Sequence, residues 1–272
     1  MIQLIAIDLD GTLLRDDKTL SETNQKAVQW ASQQGVEVVI CSGRPLSGVL
    51  PLVKQLGLDQ PNHHSIIFNG GAVVDNVSEE IVTQTTLTPA DVEQIAEPLL
   101  ASDLPVDAVS LTHAFQLSAP HNWQSTYPDK TPYLTFSGWE SYPAYALPLY
   151  KVVATTTKEH LEECLPLLPQ SLYDEYAVVR SQPYQLEIMP KAVNKGQALK
   201  DLVASLNIPM RQVMAIGDEE NDETMFKQAG FAVVMASGNP LMKAQADYIT
   251  DTNENDGVSV AIRHFVTPKE RK

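Results

Sequence analysis

The stretch that decides the fold is QLIAIDLDGT, residues 3–12, close to the start of the chain. Gln3 to Ile7 is short and apolar and is followed by polar residues, which predicts a buried β-strand. Asp8 and Asp10 stand at its carboxyl end, two residues apart, so both side chains point to the same face. Open α/β sheets bind their ligands at this edge. The alternative, in which one carboxylate only caps the following turn, stays open from these residues alone.

The two neighbouring carboxylates need a positive partner. At a few ångströms they repel each other, and the pKa of one rises unless a cation or a shared proton occupies the site. The chain carries 19 Lys and Arg against 34 Asp and Glu, a net charge of -15, which repels anionic ligands at long range. An anionic ligand would therefore need a local group of cations, and a metal ion is expected among them.

Short apolar runs alternate with amphipathic helical patterns after the first strand. Ser21 can cap a helix that Gly35 ends, and Val36 to Ile40 is predicted as the second strand. Apolar residues recur at helical spacing from Leu46 to Leu56, ahead of a third strand at Ser65 to Phe68. Buried strands separated by such helices indicate a parallel sheet covered on both faces, with right-handed crossovers.

The same alternation returns late in the chain. A helix opens at Lys195, and Gln212 to Ile216 and Phe231 to Val234 are predicted as two more strands of the same sheet. The predicted fold class is therefore α/β, with a Rossmann-like, doubly wound parallel sheet as its core. We place this core at residues 1–82 and 188–272.

Residues 83–187 differ from the rest of the chain in composition and pattern, and they contain much of its Pro and Tyr. They combine strand-like stretches with helical patterns, at Ala108 to His113, Tyr150 to Thr155 and Tyr184 to Ile188 for the strands and from Thr88 and Lys158 for the helices. We interpret this region as an inserted α+β domain.

Composition excludes several classes of protein. Hydrophobic residues make up 43% of the 272 positions, which is enough for a folded core, and no basic run offers the clustered cations that nucleic acid binding requires. No signal peptide and no membrane-spanning run is found, so a membrane partner is not expected. Cys41 and Cys164, in unrelated surroundings, are typical of a reducing compartment, and the expected location is cytoplasmic. Pro268 to Lys272 are predicted to be a frayed tail.

Four short motifs follow in order at the ends of predicted strands or the start of a helix: DLDGT at 8–12, CSGR at 41–44, NKG at 194–196 and GDEEND at 217–222. Together they resemble the Cof-type subfamily (IIB) of haloacid dehalogenase (HAD) phosphatases. The resemblance spans essentially the whole chain, although residues 83–187 match it only in position and texture. It implies the HAD fold, with residues 83–187 as a mobile cap of the C2B type.

The resemblance implies catalytic roles for the first motif. Asp8 matches the nucleophile that forms an aspartyl phosphate, and Asp10 matches the residue that protonates the leaving alcohol and then takes a proton from the hydrolytic water. Lys195 matches the lysine that bridges the nucleophile and the transferred phosphoryl group.

The candidate substrate-binding residues are Ser42, Gly43, Arg44, Asn69, Lys195 and Asn221. Ser42 lies ahead of a helix, where its hydroxyl and the nearby N–H groups can hold phosphoryl oxygens. A helix N-cap is the alternative for Ser42, and a turn-forming position is the alternative for Arg44 and for Asn69.

The candidate metal ligands are Asp8, Asp10, Asp218 and Asp222. Mg2+ takes about six oxygen ligands, and Asp8 and Asp218 are the expected side-chain ligands. By the resemblance, Asp10 contributes its backbone carbonyl, while Asn221 and Asp222 lie in or near the layer that holds Asp218 and the waters. The alternative for residues 218–223 is an acidic first helical turn, which interacts favourably with the helix dipole.

The sequence thus predicts an enzyme that hydrolyses phosphoric monoesters, a Mg2+-dependent phosphatase acting on small phosphorylated metabolites such as sugar phosphates or phosphorylated cofactors. A phosphomutase of the same superfamily and a non-catalytic module that binds a phosphorylated metabolite are the alternatives. Substrate choice is expected to lie in the cap. A monomer or a homodimer is expected.

Overall fold

The computed structural model describes residues 1–117 and 123–267, so the tail predicted at Pro268 to Lys272 lies outside the described residues. The chain divides into two compact units. The core unit comprises Met1–Arg44, Val49–Gln84 and Asn194–Lys272, and the inserted unit comprises Pro45–Gly48 and Thr85–Val193. These boundaries differ by a few residues from the predicted ones, because residues 81–84 pair within the core sheet and residues 185–190 pair within the inserted sheet.

The strands and helices of the described residues alternate along most of the chain. In chain order, β1 to β14 are Leu4–Ile7, Glu37–Cys41, His64–Ile67, Ala72–Asp75, Ile81–Gln84, Val106–Val109, His113–Leu117, Thr135–Gly138, Lys151–Thr155, Tyr176–Gln182, Gln185–Pro190, Val213–Gly217, Phe231–Val234 and Tyr248–Ile249. Helices α1 to α11 are Glu22–Gln33, Leu46–Leu56, Pro89–Ala101, Tyr127–Lys130, Tyr142–Tyr145, Lys158–Cys164, Gln170–Glu175, Lys195–Ser205, Glu223–Gln228, Pro240–Lys243 and Gly257–Phe265.

The core unit is built on an eight-stranded sheet of order β14-β13-β12-β1-β2-β3-β4-β5. Strand β1 lies in the middle and pairs in parallel with both neighbours, so that Ile7 stands beside Ile40 of β2 and Ile216 of β12. Only the β3-β4 and β4-β5 pairings are antiparallel among those of this sheet in the described residues. The predicted α/β fold class is confirmed. The register sets the carboxyl ends of β1, β2 and β12 side by side.

Local sequence explains the helices that connect these strands. The Ser21 side chain accepts a hydrogen bond from the Asn24 N–H at 3.0 Å and caps α1, as predicted. Gly35 and Gly57 have φ values of 79° and 69°, a region that glycine adopts without strain, and they follow the ends of α1 and α2. The apolar residues of β1 are fully buried.

The inserted unit has its own six-stranded sheet, of order β10-β11-β9-β6-β7-β8, and its own apolar core. The strand predicted over Ala108 to His113 is wrong in extent. The structure has two antiparallel strands, β6 and β7, joined by a turn in which the Ser110 N–H donates to the His113 carbonyl at 2.7 Å. The turn residues are Ser, Leu and Thr, so no Gly, Pro or Asn marks the turn in the sequence.

Two further observations concern compartment and membrane. Cys41 and Cys164 are both free and buried. Within residues 1–117 and 123–267, none of the helices combines the length and the apolar character needed to cross a bilayer.

Candidate active site

Parallel pairing of β1 and β12 brings two distant motifs together. Asp8 directly follows β1, and its N–H donates to the carbonyl of Ile216 in β12 at 3.0 Å. Asp218 directly follows β12. One carboxylate oxygen each from Asp8, Asp218 and Asp222 lies within 4.8 Å of the others, and all three residues are buried. The sheet therefore gathers three carboxylates at its carboxyl edge, where the sequence predicts a ligand.

Lys195 is the cation within this cluster. Its side chain is fully buried, and its Nζ lies 2.5 Å from Asp8 Oδ1 and 2.6 Å from Asp222 Oδ1. Lys195 is the first residue of α8, whose N-cap is Asn194, with Asn194 Oδ1 accepting the Gln197 N–H at 2.8 Å. The NKG motif thus starts a helix at the point that brings the lysine to the nucleophile candidate.

Asp222 is held by hydrogen bonds at both of its carboxylate oxygens. Oδ1 accepts from Lys195, and Oδ2 accepts the N–H of Asp218 at 2.9 Å and that of Glu219 at 3.2 Å. A Cβ at Gly217 would collide with the same carboxylate. Asp222 therefore shapes the loop that presents Asp218, and its oxygens are already engaged within the protein.

Asp218 is fixed from the other side by the first motif. Thr12, which is fully buried, donates from Oγ1 to Asp218 Oδ1 at 2.8 Å. Gly11 has a φ of 89°, and a Cβ there would collide with the Asp218 carboxylate. The DLDGT motif thus supplies Asp8 and also positions Asp218. The contact between Thr12 and Asp218 was not predicted from the sequence.

The cluster carries more negative than positive charge. Burial, together with repulsion from Asp222, raises the pKa of Asp8 to about 7 even though Lys195 opposes the rise. Burial and the charges of Asp8 and Asp222 raise the pKa of Asp218 to about 8. Burial disfavours the charged form of Lys195, but Asp222 and Asp8 outweigh it and raise its pKa above the usual value. One lysine does not neutralise three carboxylates.

These residues fit a divalent cation. Carboxylate oxygens are the donors that Mg2+ takes, and the excess negative charge of the cluster is what such an ion offsets. In the described part of the chain, one oxygen of Asp8 binds Lys195 and one oxygen of Asp218 binds Thr12, which leaves the second oxygen of each carboxylate for a ligand. Asp222 fits less well as a ligand, because hydrogen bonds engage both of its oxygens.

Asp10 directs its carboxylate to other partners. Arg44 donates to it from Nε at 2.8 Å and from Nη2 at 2.7 Å, and Lys18 Nζ lies 2.9 Å from Oδ1. Burial favours the neutral acid, but Arg44 and Lys18 outweigh it and lower the pKa of Asp10 to about 2. The side chain of Asp10 is thus outside the three-carboxylate cluster, and a contact of its backbone carbonyl with a metal stays a prediction.

The remaining candidates form a connected group at the ends of β2, β3 and β12. Ser42 is buried, its Oγ accepts the Arg44 N–H at 3.1 Å, and its carbonyl accepts the Asn69 N–H at 2.9 Å. Asn69 has a φ of 56°, and its Oδ1 accepts from Asn221 Nδ2 at 3.3 Å. A Cβ at Gly43 would lie 3.0 Å from Asn69 Oδ1.

Ser42 and Asn69 both have structural roles in turns. Ser42 stabilises the turn before α2 by accepting the Arg44 N–H, and α2 itself begins only at Leu46. Asn69 adopts the left-handed conformation typical of a turn residue between β3 and β4. Substrate contact stays a prediction for both.

A Rossmann-like sheet with an aspartate-lysine cluster at its carboxyl edge is the architecture of HAD hydrolases. A family model described as haloacid dehalogenase-like hydrolase matches residues 5–262, and the chain belongs to this family. The predicted superfamily and the predicted enzyme class, a hydrolase of phosphoric monoesters, are confirmed.

Two curated relatives match along nearly their whole length. The chain is 36% identical to "Putative phosphatase M6_Spy0533" of Streptococcus pyogenes serotype M6, over 97% of this chain and 98% of that protein. It is 32% identical to the 5-amino-6-(5-phospho-D-ribitylamino)uracil phosphatase YcsE of Bacillus subtilis, over 97% of this chain and 96% of that protein. Among solved structures, a haloacid dehalogenase-like hydrolase from Bacteroides thetaiotaomicron superposes with a TM-score of 0.85 at 28% identity. The match covers 98% of this chain and 100% of that one.

Proposed function

We propose that this protein is a Mg2+-dependent phosphatase that hydrolyses small phosphate monoesters through an aspartyl phosphate on Asp8. The observation that carries the proposal is the contact of 2.5 Å between Lys195 Nζ and Asp8 Oδ1 inside a buried, negatively charged cluster. Phosphate monoesters hydrolyse extremely slowly in water, so catalysis requires both a nucleophile and compensation of the phosphoryl charge. The cluster offers both within one site.

In the first step, Asp8 attacks phosphorus, the Asp8–phosphorus bond forms and the bond to the substrate alcohol breaks. Lys195 compensates the charge of the phosphoryl oxygens, and Asp10 gives a proton to the departing alcohol oxygen. In the second step, water attacks phosphorus and Asp10 takes a proton from it. The Asp8–phosphorus bond breaks, inorganic phosphate departs and the Asp8 carboxylate is regenerated. One hard displacement thus becomes two easier ones.

The contacts of Asp10 determine its protonation state, which differs between the two steps. Arg44 and Lys18 hold its pKa at about 2, so the resting carboxyl is ionised, the form that the second step uses. The first step needs the protonated form. Because Arg44 and Lys18 stabilise the ionised form, Asp10 is a strong acid that gives up its proton readily once it carries one.

Asp8 and Asp218 are the side chains that would hold Mg2+, and Asp222 fixes the loop that presents Asp218. When bound, the ion offsets the charge of the carboxylates and of the phosphoryl oxygens that approach them. Thr12 and Gly11 keep Asp218 oriented, because one donates to its carboxylate and the other leaves room for it.

The proposed substrates are phosphate esters of small alcohols, such as sugar phosphates or phosphorylated cofactors. Support comes from the relative named for 5-amino-6-(5-phospho-D-ribitylamino)uracil, a phosphate ester on a polyol chain, with 32% identity over 97% of this chain. We include that compound in the proposed substrate class without choosing it over other polyol or sugar phosphates.

A phosphate-release screen tests the proposal. Wild type, Asp8→Asn and, as a matched control, Asp59→Asn are assayed with Mg2+ on sugar phosphates, phosphorylated cofactors and the ribitylaminouracil phosphate. Asp59 is an exposed aspartate of the core unit. We expect steady phosphate release by wild type and Asp59→Asn and a loss of several orders of magnitude in Asp8→Asn. Isomerised sugar phosphate without phosphate release would show a phosphomutase, and tight binding without turnover would show a binding module.

A further inference from the structure

A turn shortly after the first strand brings Lys18 to the carboxylate of Asp10. Lys18 has a φ of 66°, in a backbone region that residues other than Gly, Asn and Asp rarely adopt. The Arg15 N–H donates to the Thr19 carbonyl at 3.0 Å, and the Lys18 N–H donates to the Arg15 carbonyl at 2.9 Å. A disfavoured backbone conformation persists only where surrounding contacts enforce it, and such positions cluster at functional sites.

The turn is also tied to a loop near the end of the chain. Asn253 is buried, and its Nδ2 donates to the Leu14 carbonyl at 3.2 Å and to Asp16 Oδ1 at 2.9 Å. The Asp16 N–H donates to Glu254 Oε1 at 2.8 Å. These contacts join segments more than 200 positions apart, with separations of 237 to 239 residues. The backbone that leads into Lys18 is therefore anchored at Leu14 and Asp16.

Cations from two separate segments bind the carboxylate of Asp10. Arg44, which follows β2, binds both oxygens of Asp10 through Nε and Nη2, and Lys18 binds Oδ1 from the opposite segment. Rotation of the carboxylate breaks contacts to at least one of the two cations. The Lys18 side chain is 54% exposed, and ion pairs this exposed contribute little to fold stability. Stabilisation of the fold does not explain the contact.

We infer that Lys18 is a positioning residue, which together with Arg44 aims the carboxyl of Asp10 for proton transfer to the leaving alcohol. The inference rests on the proposed function, in which Asp10 is the group that gives this proton. It makes Lys18 part of the same site without placing it on substrate or metal.

The leaving group provides a specific test. An alkyl phosphate releases an alcohol that needs a proton, whereas p-nitrophenyl phosphate releases a stable anion that does not. If Lys18 orients the proton donor, its loss slows the first substrate more than the second. The ratio kcat/KM isolates this effect, because it reports the reaction only through formation of the aspartyl phosphate.

The variants are Lys18→Met, Lys18→Gly and Lys18→Arg, with Lys26→Met as the control. Lys18→Gly removes the cation while it relieves the backbone, and Lys26 is a surface lysine of α1 that pairs with Glu22 at 2.5 Å. We expect kcat/KM for the best sugar phosphate to fall about tenfold in Lys18→Met and Lys18→Gly, since Arg44 still holds Asp10. On p-nitrophenyl phosphate the fall stays below about threefold, and Lys18→Arg and Lys26→Met stay near wild type.

Each other outcome has a defined meaning. An equal fall on both substrates, or a loss of melting temperature beyond that of Lys26→Met, would show a merely structural role and overturn the inference. A raised KM at unchanged kcat would show direct substrate contact and would also overturn it. Wild-type turnover with unaffected variants removes the inference and leaves the proposed function standing, whereas a wild type inactive on every ester removes both.

Discussion

Lys195 and Asp8, 187 residues apart in the sequence, form a buried ion pair in which Nζ lies 2.5 Å from Oδ1. The same ammonium group binds Asp222 at 2.6 Å, so a single cation serves two carboxylates away from water. Buried ions are costly to desolvate, and their mutual attraction compensates only while each keeps its partner. The pair therefore couples the stability of the core unit to the charge balance of the site.

Removal of this lysine is expected to destabilise the fold. Lys195→Met leaves Asp8 and Asp222 buried without their shared cation, and we expect the free energy of unfolding to fall by about 3–5 kcal/mol. Urea denaturation measures the change. The double variant Lys195→Met with Asp8→Asn should recover part of the loss, because one unpaired charge is gone. A loss below about 1 kcal/mol, typical of an exposed pair, would contradict the buried arrangement.

Gly11 and Gly57 form a matched pair for a steric test. Both have positive φ, 89° and 69°, but a Cβ at Gly11 would collide with the Asp218 carboxylate, whereas at Gly57 the nearest atom is a Gln29 side-chain nitrogen at 3.8 Å. Gly57→Ala should cost about 1–2 kcal/mol of unfolding free energy from the backbone alone. Gly11→Ala should cost at least about 1 kcal/mol more, because the carboxylate must move. Equal losses in thermal denaturation would show that Asp218 is not packed against Gly11.

Asp107 of β6 gives a pH-dependent prediction for the inserted unit. It is fully buried, and Ser125 Oγ donates to its Oδ2 at 2.5 Å. Burial outweighs this hydrogen bond and raises the pKa of Asp107 from 3.8 to about 6. The folded chain then keeps a proton that the unfolded chain releases, so the stability from this group is complete below about pH 4 and is lost as pH rises through about 6.

The measurement compares wild type with Asp107→Asn in urea at pH 4.5 and pH 7.5. The shift of about two pKa units corresponds to about 3 kcal/mol in full, of which about 1 kcal/mol is already lost at pH 4.5. The variant, which cannot ionise, should therefore gain about 2 kcal/mol on wild type between the two pH values. The exposed Asp129→Asn serves as the control in the same unit. A difference between Asp107→Asn and wild type that is the same at both pH values would show that Asp107 ionises normally.

Metal binding should be visible without any substrate. A ligand that binds only the folded chain stabilises it by about 2.7 kcal/mol at 100 times its Kd, so Mg2+ should raise the melting temperature. Asp218→Asn should abolish this rise, because it removes a negative charge from the cluster, and Asp59→Asn should keep it. A chelator should reverse the rise in wild type. An undiminished rise in Asp218→Asn would place the ion elsewhere.

The closeness of Asp8 to Asp218 follows from the sequence for a physical reason, whereas their roles as nucleophile and metal ligand stay predictions. Parallel strands end at one edge of a sheet, so residues that follow β1 and β12 must lie close together. Asp8 and Asp218 do so, and Lys195 and Asp222 join them. Periodicity likewise predicted α1 and α2, because apolar positions at helical spacing identify a buried face.

What the sequence did not predict depends on contacts between distant residues. Thr12 donates to Asp218 across 206 positions, and no spacing within either motif encodes that partner. Lys18 contacts Asp10 from a position with positive φ, a conformation that its residue type alone argues against. Arg44 binds Asp10 because the end of β2 lies beside the end of β1, a contact that the sequence did not predict, and its contact with substrate stays a prediction.

The most direct test of the account is to trap the covalent intermediate. Wild type and Asp8→Asn are mixed with Mg2+ and the best ester from the screen, quenched in acid within a turnover, digested, and analysed by mass spectrometry. We predict one added phosphoryl group on the peptide that contains Asp8 in wild type and none in Asp8→Asn. Rapid phosphate release by wild type with the phosphoryl group on another residue, or undiminished release by Asp8→Asn, would contradict the account.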